Sequence, residues 1–227
     1  MFIWDPMYYL YALPALLLGL WAQMRIKIAY SQAQQRPAPL SGAAAARHIL
    51  DSAGIQNVEI EAIPGNLTDH YDARAKVLRL SQEVYESRTL AAVGIAAHES
   101  GHAIQDARAY APLTMRNAFV PTANIGSSMG MLLFFLGMML HQNSLLMTIG
   151  IVLFSCVVVF QLINLPVEFN ASNRAKAQLV QLGIINAEEL VYVKKVLNAA
   201  ALTYVAATLQ AIMTLLYLIM RSQGRRN

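Results

Sequence analysis

Four stretches of this chain are long and apolar enough to cross a bilayer, and they limit what it can fold into more than any other feature. A spanning helix takes about 20 residues and satisfies its own backbone hydrogen bonds, which lipid cannot do for it. The stretches fall at about residues 7–24, 119–140, 145–167 and 199–220, and none contains Asp, Glu, Lys or Arg. Composition agrees: hydrophobic residues make up 56% and charged residues 13%, where a soluble domain carries about 25% charged. Between the second and third stretches lies only His141-Gln142-Asn143-Ser144. That is a hairpin turn, so this pair of helices returns the chain to the side it left. The two polar segments, 25–116 and 168–195, are therefore expected to share one face of the membrane.

The first apolar run reads as a retained anchor, since Arg25 and Lys27 follow it and do not precede it as in a cleaved leader. Lysine and arginine favour the cytoplasmic side. Arg25, Lys27, Arg116, Arg174, Lys176, Lys194 and Lys195 all fall in or beside the polar segments, which places those segments in the cytoplasm and the N-terminus outside. Four spans leave Arg221, Arg225 and Arg226 on the opposite side, against the same rule; a re-entrant or surface-lying fourth stretch would bring them back. The net charge of +4 is scattered, with no dense basic run, so no nucleic-acid partner is expected. The single cysteine, Cys156, excludes an intrachain disulfide and a cysteine-based zinc site.

Within the larger polar segment, residues 31–39 read as a linker. Ser41 suits the cap of an alanine-rich helix ending near Gly54. Residues 58–63 alternate apolar and polar with a strand's period of two, Pro64-Gly65-Asn66 turns the chain, and residues 76–80 suggest a second strand. Ser87 is placed to cap a helix over about residues 88–108. No internal repeat is visible.

That helix carries His98-Glu99-Ser100-Gly101-His102, an H-E-x-x-H pattern. Residues four apart lie on one helix face, so both imidazoles can reach a single metal ion at about 2.0–2.1 Å. Glu99 lies beside the first histidine, poorly placed to share the site but well placed to accept a proton from a zinc-activated water, whose pKa falls from about 16 towards 7. It would act as general base and pass the proton to the leaving amine. The apolar run before the motif, residues 90–97, suits a buried helix.

A catalytic zinc site takes a third protein ligand and leaves a fourth position open. Gln105 and Arg108 stand where the metzincin pattern has Gly and His, which excludes that class. His141 lies in the hairpin turn at the far face. His48 and His70 are open alternatives without a supporting pattern. Glu168 is the stronger candidate: it follows the third apolar stretch directly, and a carboxylate at the membrane boundary is costly unless paired or metal-bound. The bland alternative is a solvated charge at a helix start.

The motif with its continuation Ala103-Ile104-Gln105, the upstream Leu67-Thr68-Asp69-His70-Tyr71-Asp72, the strand Val77-Leu78-Arg79-Leu80-Ser81, and Leu165-Pro166-Val167-Glu168-Phe169-Asn170-Ala171-Ser172 together resemble the YugP-type neutral zinc metallopeptidases of bacterial membranes. The resemblance covers nearly the whole chain. A more distant similarity reaches HtpX-like and CAAX prenyl peptidases, which also place a Glu ligand after a membrane hairpin. Ser172 stands where those relatives have Asp, whose implied role is to hold a ligand histidine. Ser172 offers a neutral partner for that role, with Asn170 or Asn173 as the alternative.

The expected fold is mainly α: a polytopic membrane protein with about four transmembrane helices and a small zincin-like α+β catalytic portion. Its expected organisation is an anchor (1–24), a catalytic segment (25–117), a membrane hairpin (118–167), a polar helix carrying the third ligand (168–198), and a last membrane helix with a basic tail (199–227). The expected activity is a membrane-embedded zinc endopeptidase holding one Zn2+ per chain through His98, His102 and Glu168, with Glu99 as base. A peptide or membrane-protein substrate and the bilayer are the expected partners. His70 or Tyr71 would contact substrate or stabilise the oxyanion, and the strand at 77–81 would be an edge on which substrate pairs. Two other classes compete. A non-catalytic adaptor or chaperone with a structural metal site has no use for Glu99, and a metal transporter would carry ionisable groups inside its spans.

Overall fold

A computed structural model describes residues 5–223. Its order is α1 (Pro6–Gln34), α2 (Gly42–Ser52), β1 (Glu59–Ile63), β2 (His70–Asp72), β3 (Val77–Ser81), α3 (Gln82–Glu86), α4 (Leu90–Ala107), α5 (Ala111–Met139), α6 (Ser144–Gln181) and α7 (Ala187–Gln223). The protein is mainly α, with a small three-stranded sheet. Helices α1, α5, α6 and α7 are each long and apolar enough to cross a membrane. The first four residues of the expected anchor segment (1–24) and the end of the basic tail, with Arg225 and Arg226, lie outside the described residues. Among the described residues the chain divides into two compact units: 5–21, 114–165 and 203–223 in one, and 22–113 with 166–202 in the other.

In the first unit, α5 and α6 form the expected hairpin. Its turn places His141 and Gln142 in the left-handed region (φ 52° and 60°). The two helices approach closely because glycine removes the side chain where they meet. A Cβ on Gly126 would stand 2.3 Å from the carbonyl oxygen of Leu153, and one on Gly150 would stand 2.6 Å from that of Gly130. Small residues serve this purpose between membrane helices, where lipid removes the hydrophobic drive and close packing must supply the attraction. Phe134, fully buried, fills the space beside them. In the same unit the Tyr217 hydroxyl donates to Asp5 at 2.8 Å, joining α7 to the start of α1.

The second unit is built around α4. Ser41 caps α2 by accepting from the Ala44 amide at 3.3 Å, as its sequence suggests. The cap of α4 differs from the expectation. Thr89 accepts from the Ala92 amide at 3.2 Å, while Ser87 ends α3, a one-turn helix the sequence pattern did not announce. Residues 31–34 belong to α1, so the expected linker is irregular only from residue 35 on, and Pro37 pairs with Thr89 in a single bridge. The sheet order is β1-β3-β2, with β1 parallel and β2 antiparallel to β3. The strand at 77–81 is therefore the middle strand and cannot be the edge that receives a substrate. Its Ser81 amide, beyond the end of β2, is covered by Asp69 Oδ1 at 2.8 Å. Leu78 and Leu80 are fully buried in one core with Leu90, Val93, Ile49 and Leu50.

The third apolar stretch does not stop at residue 167. Helix α6 runs on to Gln181 with Pro166 inside it, and the segment 168–198 comprises the rest of that helix, a turn through Gly183 (φ 65°) and the start of α7. The glycine contacts yield a test. Gly126→Ala is expected to lower the thermal midpoint in detergent, by the equivalent of about 1–3 kcal/mol of overpacking. Gly19→Ala, whose new Cβ meets nothing nearer than 3.9 Å, is expected to leave the midpoint unchanged. Equal midpoints for the two variants would mean that α5 and α6 do not pack this closely.

Candidate metal centre

The residues before His98 explain why α4 can present ionisable groups in a buried place. Leu90 to Val93, with Ala96 and Ala97, are buried in the core and anchor the helix, so the two histidines one turn apart are held by a scaffold they do not have to stabilise. Their rings meet edge to face, with centroids 4.8 Å apart. Gly101 lets α6 pass against this turn: a Cβ there would lie 2.7 Å from the Ala171 carbonyl oxygen. The close approach brings Glu168, one turn before Ser172 on α6, to the histidines.

Glu168 Oε2 lies 3.3 Å from His98 Nε2 and 3.6 Å from His102 Nε2. Four ligands at about 2.0–2.1 Å in a tetrahedron stand about 3.3–3.4 Å from one another. The spacings found here therefore suit a shared zinc ion, and the two-imidazole, one-carboxylate donor set is one that zinc accepts. His98, His102 and Glu168 form a group able to hold a metal, with candidate ligand atoms all within 4.8 Å of one another. Glu168 is only 5% exposed, a position where a carboxylate without compensating charge would be costly.

Both histidines use their other nitrogen. Ser172 Oγ is 3.1 Å from His98 Nδ1, so the residue standing in place of Asp reaches the imidazole directly. His102 Nδ1 lies 3.0 Å from Gln105 Oε1. Asn170 makes no hydrogen bond to either histidine; its Oδ1 accepts from Gln105 at 3.0 Å and from Arg174 at 2.7 Å. Gln105 is the residue that sequence reasoning passed over, having been considered only as a departure from another motif. One signal was available: a polar side chain three residues past a candidate ligand, in a helix otherwise built to be buried.

Glu99 is 9% exposed. Burial pushes its carboxyl up to about 7; His98 opposes the rise, while Glu168 and Asp69 add to it. His70 and Tyr71 lie on β2. His70 is exposed, with Nδ1 2.8 Å from the Thr68 carbonyl oxygen. Tyr71 donates its hydroxyl to Asp106 Oδ2 at 2.7 Å, and the Lys76 ammonium meets the same oxygen at 2.5 Å. Burial, then this bond, raises the Tyr71 pKa. Its proton is thus engaged in tying the hairpin to the end of α4. His48, exposed on α2, and His141, in the α5–α6 turn, are not members of the three-residue group.

A family model described as "putative neutral zinc metallopeptidase" matches residues 8–223. The chain belongs to this family. It is also 46% identical over 208 residues to the "putative membrane protease YugP" of Bacillus subtilis strain 168, an alignment covering 91% of this chain and 92% of that protein. No solved structure matches it significantly.

The spacing of the three donors predicts one bound divalent ion per chain. His98→Ala, His102→Ala and Glu168→Ala are each expected to reduce the metal content of purified protein to background, read by elemental analysis. Full occupancy in folded Glu168→Ala would move the third ligand elsewhere, with His70 the first residue to examine.

Proposed function

We propose that the protein is a membrane-embedded zinc endopeptidase whose ion is held by His98, His102 and Glu168 and whose general base is Glu99. The observation that carries this reading is the convergence of His98 Nε2, His102 Nε2 and Glu168 Oε2 at spacings of 3.3 and 3.6 Å, with Glu99 next to His98 in the same helix. The family description and the name of the Bacillus relative support it. Three protein donors also favour catalysis over a structural site, which usually closes its tetrahedron with four.

A zinc ion bound there would polarise the scissile carbonyl and lower the pKa of water towards about 7. The protein's own residues do the rest. The Glu99 carboxylate takes a proton from the attacking water as its oxygen bonds to the carbonyl carbon. The carbon–nitrogen bond then breaks, and Glu99 returns that proton to the departing amine. Burial raises the affinity of Glu99 for the proton and a nearby cation lowers it, so the two influences oppose each other. Ser172 and Gln105 hold the histidine rings by their Nδ1 atoms.

The substrate we assign is a peptide or a membrane protein, cut on the cytoplasmic side. That side follows from Arg25, Lys27, Arg116, Arg174, Lys176, Lys194 and Lys195, all in or beside the polar segments.

Glu99→Gln tests the chemistry. Glutamine preserves shape but accepts no proton at neutral pH. The variant is expected to keep its zinc and to lose peptidase activity by about 10²–10⁴-fold. An unchanged rate on a validated substrate would remove Glu99 from the mechanism. The topology has its own test, made convenient by the single native cysteine. In a Cys156→Ser background, Asn66→Cys and Gln181→Cys, both exposed positions, are expected to resist an impermeant thiol reagent in intact cells and to react after permeabilisation. Labelling of both from outside would invert the orientation. Labelling of one alone would separate the segments that supply the metal ligands.

A further inference from the structure

The amide of Gln105 sits at the meeting point of three hydrogen-bonding groups, and their chemistry allows only one arrangement. Gln105 is fully buried on α4. Its Nε2 lies 2.8 Å from the main-chain carbonyl oxygen of Val167, the residue before Glu168, and 3.0 Å from Asn170 Oδ1. A carbonyl can only accept, so the atom facing Val167 must be the NH2 group. The second partner agrees. Arg174 Nε, which can only donate, lies 2.7 Å from the same Asn170 oxygen, so Asn170 presents its oxygen, and that oxygen also requires a donor from Gln105. Turning the Gln105 amide over would set its oxygen against two acceptors at 2.8 and 3.0 Å.

With NH2 committed to α6, Oε1 must face His102. It lies 3.0 Å from Nδ1 and can only accept. The proton therefore resides on Nδ1, which leaves Nε2, the atom 3.6 Å from Glu168, as the nitrogen offered to a metal. The Nδ1 of the other histidine meets a partner of either sense. Ser172 Oγ, 3.1 Å from His98 Nδ1, is a hydroxyl and can donate or accept.

We infer that Gln105 is a positioning residue that locks His102 into its Nδ1–H tautomer and joins the metal-binding turn of α4 to the backbone beside Glu168, so that two of the three ligand atoms are set before metal arrives. The inference rests on the metal-site reading above, but its first consequence needs no metal. A ligand histidine whose second nitrogen has lost its partner binds more weakly, typically by about 10–100-fold.

The test compares wild type, Gln105→Met and Gln105→Glu as full-length protein in detergent. Methionine approximates the shape without hydrogen bonds; glutamate keeps an acceptor for His102 and removes the donors to α6. Metal-free protein carrying isotope-labelled histidine is examined by NMR, with the His102 signals assigned by their loss in His102→Ala. Zinc affinity is measured separately by competition with a chelator. The wild type is expected to hold His102 as Nδ1–H, Gln105→Met to populate the other tautomer and lose about 10–100-fold in zinc affinity, and Gln105→Glu to keep Nδ1–H. An Nε2–H tautomer in the wild type would overturn the inference. So would an unchanged tautomer and zinc affinity in Gln105→Met. If Gln105→Met does not fold, a switch to Nε2–H in folded Gln105→Glu overturns it instead. Failure of the metal reading shows separately, as a wild type that takes up no zinc.

Discussion

A carboxylate held in the interior of a helix pair is the constraint around which the second compact unit is arranged. Glu168 is almost fully buried, and a metal cation shared with the two imidazoles facing it at 3.3 and 3.6 Å would supply compensation that water cannot. Removing one partner of a buried charge costs about 3–5 kcal/mol. Placing α6 close enough for that pairing requires Gly101, whose missing side chain admits the Ala171 backbone. The tight approach and the polar cluster are thus two aspects of one contact: the first makes the second reachable, and the second gives the first its specificity.

Around this contact the polar groups are satisfied in layers. Ser172 and Gln105 take the outward nitrogens of the two histidines. Asn170 and Arg174 fix the direction of the hydrogen bonds that reach Gln105. At the end of α4, Asp106 gathers the Tyr71 hydroxyl and the Lys76 ammonium, so the short hairpin is tied to the helix that carries the motif. The small sheet supports the site more than it forms it: Leu78 and Leu80 are buried in the core that holds α4, while the outer strands β1 and β2 are mostly exposed or half-buried.

The membrane-type unit solves a different problem with different means. Its helices expose leucine, isoleucine and methionine on their outer faces, and glycines bring α5 and α6 into backbone contact. Apolar attraction gives little net drive between helices in lipid, so close fit must supply it. Charged residues are absent from the cores of the spans.

Sequence alone determined the features that depend on local composition or on spacing along one helix. The four spans were legible because twenty apolar residues in lipid have few alternatives to a helix, and the hairpin because its turn is too short for anything else. His98 and His102 were legible as partners because a separation of four fixes their relation. Glu168 was legible as a candidate through the cost of a carboxylate at a membrane boundary. Tertiary structure alone decided what depends on elements meeting across long separations. It set β3 in the middle of the sheet, because strand order comes from which edges pair and not from the alternation within a strand. It chose Thr89 over Ser87 as the cap, because α3 took the residues before it. It gave Gln105 its place, because a glutamine in a helix has no assigned partner until Val167 and Asn170, more than sixty residues away, arrive beside it. Local patterns limit the conformations of a segment; the partners of a buried polar group are set only when the chain has closed around it.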